Sequence, residues 1–348
     1  MSPAPKSICI VRLSAIGDVA HMLAVARTLQ KHWPNTQLTW VIGKNEAQLV
    51  RDIDGIEYII FDKKKGLRAY IDLRRQLKGR SFDAVLAAQV SLRANLITAM
   101  LRSPYKLGFD SARSRDFHSL VINHQIPARD EHVLDGFFSF VEELGLKQRE
   151  LSWNIPLDED AIRFAQKELP RDKTILAISP CSSHALRNAS AELYAQVADH
   201  AVEKHSMAVV LLGGPSQAER DMGSAIQAKM QHPSTSLIGK DTLKKLVAIL
   251  RNVTILLTPD SGPAHLATCV DTPVLGLHAA SNPKRSGPYL SQQWCVDHYP
   301  TAALKFLNRP IEQVRWGTKI EQPGVMDLIR VNDVIVILDR FMQERTEK

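Results

Sequence analysis

Five residues in the stretch ILLTPDSGPAHLATCV (255–270) could do chemistry together: Asp260, Ser261, Gly262, Pro263 and His265 follow an apolar run. A buried strand that ends here and turns into a helix would aim freed main-chain amides at a ligand, an arrangement that holds phosphate. Pro263 suits the first helical position, where its missing N–H costs nothing. His265 adds a donor or a positive charge. Each residue also has a plainer local job, with Ser261 capping the helix, Asp260 bracing the loop and His265 packing. Five together after an apolar run favour an anion site.

Three other stretches repeat the pattern of apolar run followed by polar loop. In RLSAIGDVAH (12–21), Ser14 to Gly17 read as a tight loop. Gly17 would allow a backbone angle that other residues resist. Asp18 opens the next helix and has two readings, an N-cap or a carboxylate that takes a proton from an attacking hydroxyl. In SPCSSHALRNAS (179–190), Arg187 is placed to clamp a phosphate. In LLGGPSQAERD (211–221), Glu219 could accept from ribose hydroxyls, or simply complement a helix N-terminus.

The elements that must position these loops follow an α/β rhythm. Apolar runs at 7–13, 37–43, 56–62 and 82–88 alternate with helical patterns, and after a polar, proline-bearing stretch at 145–172 the rhythm resumes at 174–179, 207–213, 235–239, 253–259 and 272–278. This predicts parallel sheets covered on both faces by helices, in two open units. In such sheets ligands bind beyond the carboxyl ends of the strands, where all four loops fall. No G-x-G-x-x-G follows the first strand and no G-x-x-x-x-G-K-[ST] occurs, which lowers the case for a nicotinamide or P-loop enzyme.

The chain has 348 residues, 45% apolar and 23% charged, with a net charge of +7. That balance favours anionic partners. The positive charge is concentrated: thirteen Lys/Arg lie between Lys63 and Arg115, opposed by Asp72, Asp83 and Asp110. A block of this kind is either a solvated face or a surface that meets phosphate or membrane. The scattered Cys9, Cys181, Cys269 and Cys295 form no metal spacing and suit a reducing cytosol. No metal cluster is visible in the sequence, so no metal site and no cofactor are expected. No apolar run is long enough for a transmembrane segment and no secretory signal is visible.

Taken in order, RLSAIGDVAHMLAVARTL, PDSGPAHLA and TPVLGLHAASNPKRSGPY, with a weaker tail WGTKIEQPGVMDLI, resemble the heptosyltransferases of glycosyltransferase family 9, closest to those that add the first heptose to Kdo. The resemblance implies a GT-B fold, with two facing Rossmann-like domains and a cleft that closes on the substrates. It implies an acceptor-binding domain over 1–160, an ADP-sugar-binding domain over 161–330, and a helix over 331–348 packing back on the first domain. It implies an inverting transfer of L-glycero-D-manno-heptose from ADP-heptose to Kdo–lipid A of the lipopolysaccharide inner core, by a cytoplasmic enzyme peripheral to the inner membrane. Asp18 matches the catalytic base. Arg187, with Ser182 and Ser183, matches the diphosphate site, and Asp260, Ser261, Gly262 and His265 match the donor motif. Ser14, Gly17, Arg113 and Arg115 fall on the acceptor side. Ala279–Pro283 and Asn188–Ser190 depart from the usual family pattern on the donor side. Another family 9 transferase, adding a later heptose or another nucleotide sugar, is the nearest alternative. A non-catalytic basic binding protein on the same fold is more distant; few aromatics and no nucleic-acid motif speak against nucleic acid.

Overall fold

The computed structural model describes residues 4–347. Contacts divide the chain into two units, Met1–Pro156 and Leu157–Lys348. The first holds β1 (Ser7–Val11), α1 (Ile16–His32), β2 (Gln37–Gly43), α2 (Lys44–Val50), β3 (Ile56–Phe61), α3 (Leu67–Gln76), β4 (Ala84–Ala87), α4 (Leu92–Met100), β5 (Tyr105–Gly108), β6 (His124–Gln125) and α5 (Val133–Glu143). The second holds α6 (Glu159–Glu168), β7 (Ile175–Ile178), α7 (Ala191–His205), β8 (Ala208–Leu211), α8 (Gln217–Lys229), β9 (Thr235–Ser236), α9 (Leu243–Leu250), β10 (Ile255–Pro259) and α10 (Gly262–Thr268). It continues with β11 (Val274–His278), α11 (Pro283–Ser286), β12 (Val296–Asp297), α12 (Tyr299–Leu307) and α13 (Val331–Thr346).

Each unit is one parallel six-stranded sheet, ordered β3-β2-β1-β4-β5-β6 and β12-β11-β10-β7-β8-β9. Helices cover both faces, so central strands such as β1 and β10 are apolar at nearly every position and buried throughout except at Ser7. The strand order reverses between β1 and β4 in the first sheet and between β7 and β10 in the second. Beyond the carboxyl ends of those pairs the following loops part, and open α/β sheets bind ligands there.

α13 packs within its own unit. Its apolar stripe of Val334, Leu338 and Phe341 lies in the core of the second unit, against α7 and the strands β11 and β12. The reason is chemical as well as apolar: Asp339 accepts from His200 at 2.8 Å, His205 at 2.6 Å and Lys204 at 2.8 Å, all on α7. Among the described residues no helix is long and apolar enough to cross a membrane.

Candidate functional site

In the first unit, β1 runs into the loop at 12–15 and α1 begins at Ile16, two residues earlier than the sequence pattern suggests. Gly17 is therefore a buried helical residue, not a hinge at positive φ, and it takes no special backbone angle. Asp18 sits in the first turn of α1 but does not cap it: Ala15 is the cap residue and receives no side-chain bond. The carboxylate pairs instead with the buried guanidinium of Arg12, through Oδ2. Arg12 is fixed on its other side by Ala88 O at 2.7 Å and lies over the Phe137 ring at 5.3 Å. Among the described residues no hydrogen bond reaches Asp18 Oδ1.

The loop that carries Asp18 is pinned from both neighbouring strands. Gln89, after β4, accepts from the amides of Leu13 at 2.7 Å and Ser14 at 3.2 Å. From β2, Trp40 Nε1 donates to Arg12 O at 3.0 Å and Gly43 N donates to Leu13 O at 3.1 Å. A Cβ at Gly43 would overlap Leu13 O, so only glycine lets β2 approach this closely. These supports place Asp18 at the first switch point.

On the acceptor side, Arg113 is committed internally. It pairs with the buried Asp110, donates to Pro127 O at 2.9 Å and covers the Phe109 ring at 5.0 Å. Arg115 follows the same strand, β5, and is exposed. Ser14 is half-buried beside Asp18.

The second switch point gathers most of the residues that the sequence marks for donor binding. Arg187 is buried and donates to Ser183 Oγ at 2.9 Å. Its guanidinium lies 3.2 Å from Glu321 and 3.7 Å from Asp260, thus joining the loop after β7 to the loop after β10. Burial would raise the Asp260 carboxyl, but His278, His265, Lys319 and a hydrogen bond from Ser281 outweigh it and hold the group below its ordinary value. Ser286 Oγ adds a contact at 3.2 Å. Asp260 thus braces the loop, as its plainer reading had it, and also faces Arg187. Ser261 heads α10 but makes no capping bond; its hydroxyl turns to Thr258 at 2.8 Å. Gly262 takes the first helical position and Pro263 the second, whose N–H is also an orphan in a helix. His265 stands half-buried on that first turn.

Ser182 and Ser183 differ in their commitments. The Ser182 amide donates to Asn188 Oδ1 at 2.7 Å and its hydroxyl to His184 O at 2.9 Å, so this hydroxyl is spent within its loop. Ser183 is exposed beside Arg187. Glu219 belongs to a capping arrangement: Oε1 accepts from Gly214 N at 2.8 Å and Oε2 from Ser216 Oγ at 2.6 Å. Both oxygens are engaged locally, and a ribose contact does not follow from this geometry.

Sequence reasoning missed Arg12, Gln89, Asn188 and Glu321. Arg12 carried a signal, since a charge at the end of a buried strand needs a partner nearby. It also missed the group of His200, His205 and Asp339, whose ligand-type atoms lie within 4.8 Å of one another. These residues come from the last part of α7 and from α13, at the edge of the sheet opposite the donor loops, and Lys204 already shares the carboxylate.

Comparison with known proteins identifies the family and the fold. The profile of glycosyltransferase family 9 (heptosyltransferase) matches residues 70–310, more than half of the chain. A lipopolysaccharide core heptosyltransferase, OpsX of Haemophilus influenzae, is 39% identical over 95% of this chain and 96% of its own. Among solved structures, a family 9 glycosyl transferase of Veillonella parvula superposes with TM-score 0.80 at 21% identity, covering 99% of both chains. The ADP-heptose lipopolysaccharide heptosyltransferase II of Escherichia coli does so with TM-score 0.72 at 17% identity, covering 98% of this chain and 99% of its own. These structural likenesses give the fold, which is GT-B; with the profile match and the Haemophilus relative, they establish that the chain belongs to glycosyltransferase family 9, the heptosyltransferases.

Proposed function

We propose that the protein transfers L-glycero-D-manno-heptose from ADP-heptose to the Kdo of the lipopolysaccharide inner core, with inversion at the anomeric carbon. The observation that carries this reading is the division of chemistry between the two switch points. The second unit offers a buried arginine and an uncapped helix start for a diphosphate, and the first offers a carboxylate with one oxygen open.

In this reading the donor's diphosphate lies against Arg187 and the first turn of α10, with Ser183 and His265 beside it. Asp18 Oδ1 accepts the proton of the acceptor hydroxyl. The hydroxyl oxygen bonds to the anomeric carbon as the bond from that carbon to the diphosphate oxygen breaks. The electron pair leaves with ADP, and Arg187 spreads the charge that develops there. Preorganised donors aimed at developing charge are generally the largest catalytic term. Arg12 holds Oδ2 and so orients Oδ1; it acts as a positioning residue. Arg115, exposed after β5, is the cation offered to the acceptor's acidic groups. The enzyme would work in the cytoplasm at the inner membrane surface, where a Kdo–lipid A acceptor is held.

The test is heptose transfer from ADP-heptose to Kdo–lipid A by wild type and Asp18→Asn, with ADP affinity measured on both. We expect turnover by the wild type, a loss of about 10²-fold or more in the variant and unchanged ADP affinity. Equal turnover by the variant removes Asp18 from the chemistry. Wild-type silence with ADP still bound moves the assignment to a later heptose or another sugar nucleotide, the reading that a core heptosyltransferase relative without a stated acceptor also admits.

A further inference from the structure

All strands of the first sheet run parallel, so the residues that follow them line one edge. Asp18 follows β1 there. Lys63–Lys65 and Leu67 follow β3, Leu92 and Arg93 follow β4, and Arg115 and Phe117 follow β5. This edge is unusually apolar and unusually basic at once. Leu67 is 82% exposed, Phe117 70% and Leu120 78%. Ile71, one turn after Leu67 on α3, and Leu96, one turn after Leu92 on α4, are exposed as well.

α3 and α4 pack on the same face of the sheet, because Ala69 and Leu73 of one and Ala94 and Ile97 of the other belong to a single buried cluster with Val11, Val41 and Val85. Their inward faces are satisfied; the four apolar side chains named on these helices point away from that core. Phe117 is held outward by construction. Asp116 and Phe117 take φ of 53° and 65°, a left-handed backbone that a phenylalanine adopts at a cost. The turn is clamped on α4: Asn95 Nδ2 donates to Asp116 O at 2.7 Å, and Leu92 N donates to Asp116 Oδ2 at 3.2 Å. The cations around it are mostly uncompensated. Lys63, Lys64, Arg68, Arg93 and Arg115 are exposed, with Lys65 alone of the adjoining lysine run paired to Asp72 at 2.9 Å.

A soluble surface rarely exposes leucines and a phenylalanine together at the tips of helices and turns. Apolar side chains ringed by exposed Lys and Arg match an anionic lipid surface, where the cations meet headgroup phosphates and the apolar tips enter the acyl boundary. We infer that the edge formed by the N-terminal turns of α3 and α4 and the turn at 116–120 docks on an anionic membrane surface. This rests on the proposed reaction only for its purpose: the edge that touches lipid is the edge that carries Asp18, so a lipid-held acceptor sugar would be presented to the base.

The experiment is sedimentation of the full chain with vesicles of phosphatidylcholine alone and with about a third phosphatidylglycerol. It is repeated for Leu67→Ser/Ile71→Ser and for Phe117→Ser/Leu120→Ser, whose folding is checked by melting temperature. All four positions are exposed, so the fold should hold. We expect binding to the anionic vesicles only, and at least about a tenfold loss of affinity in each double variant. Transfer to a water-soluble Kdo acceptor should stay at the wild-type rate in both variants. Wild type left in the supernatant, or equal binding to both vesicle types, overturns the lipid assignment. Wild-type vesicle binding by both double variants overturns the placement on this edge. Vesicle binding needs no turnover, so an error in the proposed reaction shows only in the transfer assay.

Discussion

In the proposed reading, donor binding turns on Arg187. It is buried, it spans the loops after β7 and β10, and its guanidinium is steered by Ser183, Glu321 and Asp260. Hydrogen bonds to charged groups are worth about 1.5–3 kcal/mol. Arg187→Ala should therefore raise the dissociation constant for ADP by about 10- to 100-fold, measurable by calorimetry, and lower transfer at limiting donor by the same factor. A second residue-scale effect concerns Asp241, which burial, and then the charge of Glu219, push up to about 7. A carboxyl whose folded value lies above its unfolded one holds its proton better when folded. Its favourable contribution is complete below about pH 4 and is lost as pH rises to about 7. Asp241→Asn removes that loss. The variant should match wild type in denaturant stability near pH 4 and exceed it at pH 8, by up to about 4 kcal/mol.

Element by element, what the sequence disclosed follows from burial. Strand β2 was readable to the residue because a parallel strand buried on both faces is a continuous apolar run, as in QLTWVIG. Strand β5, YKLG, was not, because two of its four residues are only half-buried and it sits toward the sheet edge. The candidate site divided in the same way. Asp18, Arg187 and Asp260 were visible because polar residues after apolar runs are conspicuous. Glu321 was not, because what distinguishes it is a partner, Arg187, that only folding brings near; Arg12 was readable from its place at the end of a buried strand but was not read. Glu219 was read outward because a sequence does not say that Ser216 and Gly214 will take both of its oxygens. α13 was legible as a helix, but its packing on α7 was not, since an apolar stripe does not name the face it meets. That partner can be tested. Leu338 is fully buried in the second unit. Leu338→Ala should cost about 2–5 kcal/mol in unfolding, and the loss should appear in hydrogen exchange of α7, with β1 and β2 unchanged.

At the scale of the molecule, the two units share an architecture and differ in charge and in the groups they place at their switch points. The first carries the basic block and Asp18; the second carries Arg187 and the start of α10. If donor recognition belongs to the second unit, ADP must act there first. A ligand that binds only the folded state at one hundred times its dissociation constant stabilises by about 2.7 kcal/mol. Saturating ADP should therefore raise the melting temperature and slow hydrogen exchange in residues 179–190 and 259–265. Arg187→Ala should cut that stabilisation to about 0.4–1.4 kcal/mol at the same ADP concentration and weaken the slowing of exchange in step. The amides of 12–21, pinned already by Gln89, Trp40 and Gly43, should hold their rates until an acceptor is added. Slowing of 12–21 by ADP alone, equal to that of 259–265, would mean that the loop bearing Asp18 contacts the nucleotide itself. The division of labour between base and donor site would then have to be redrawn.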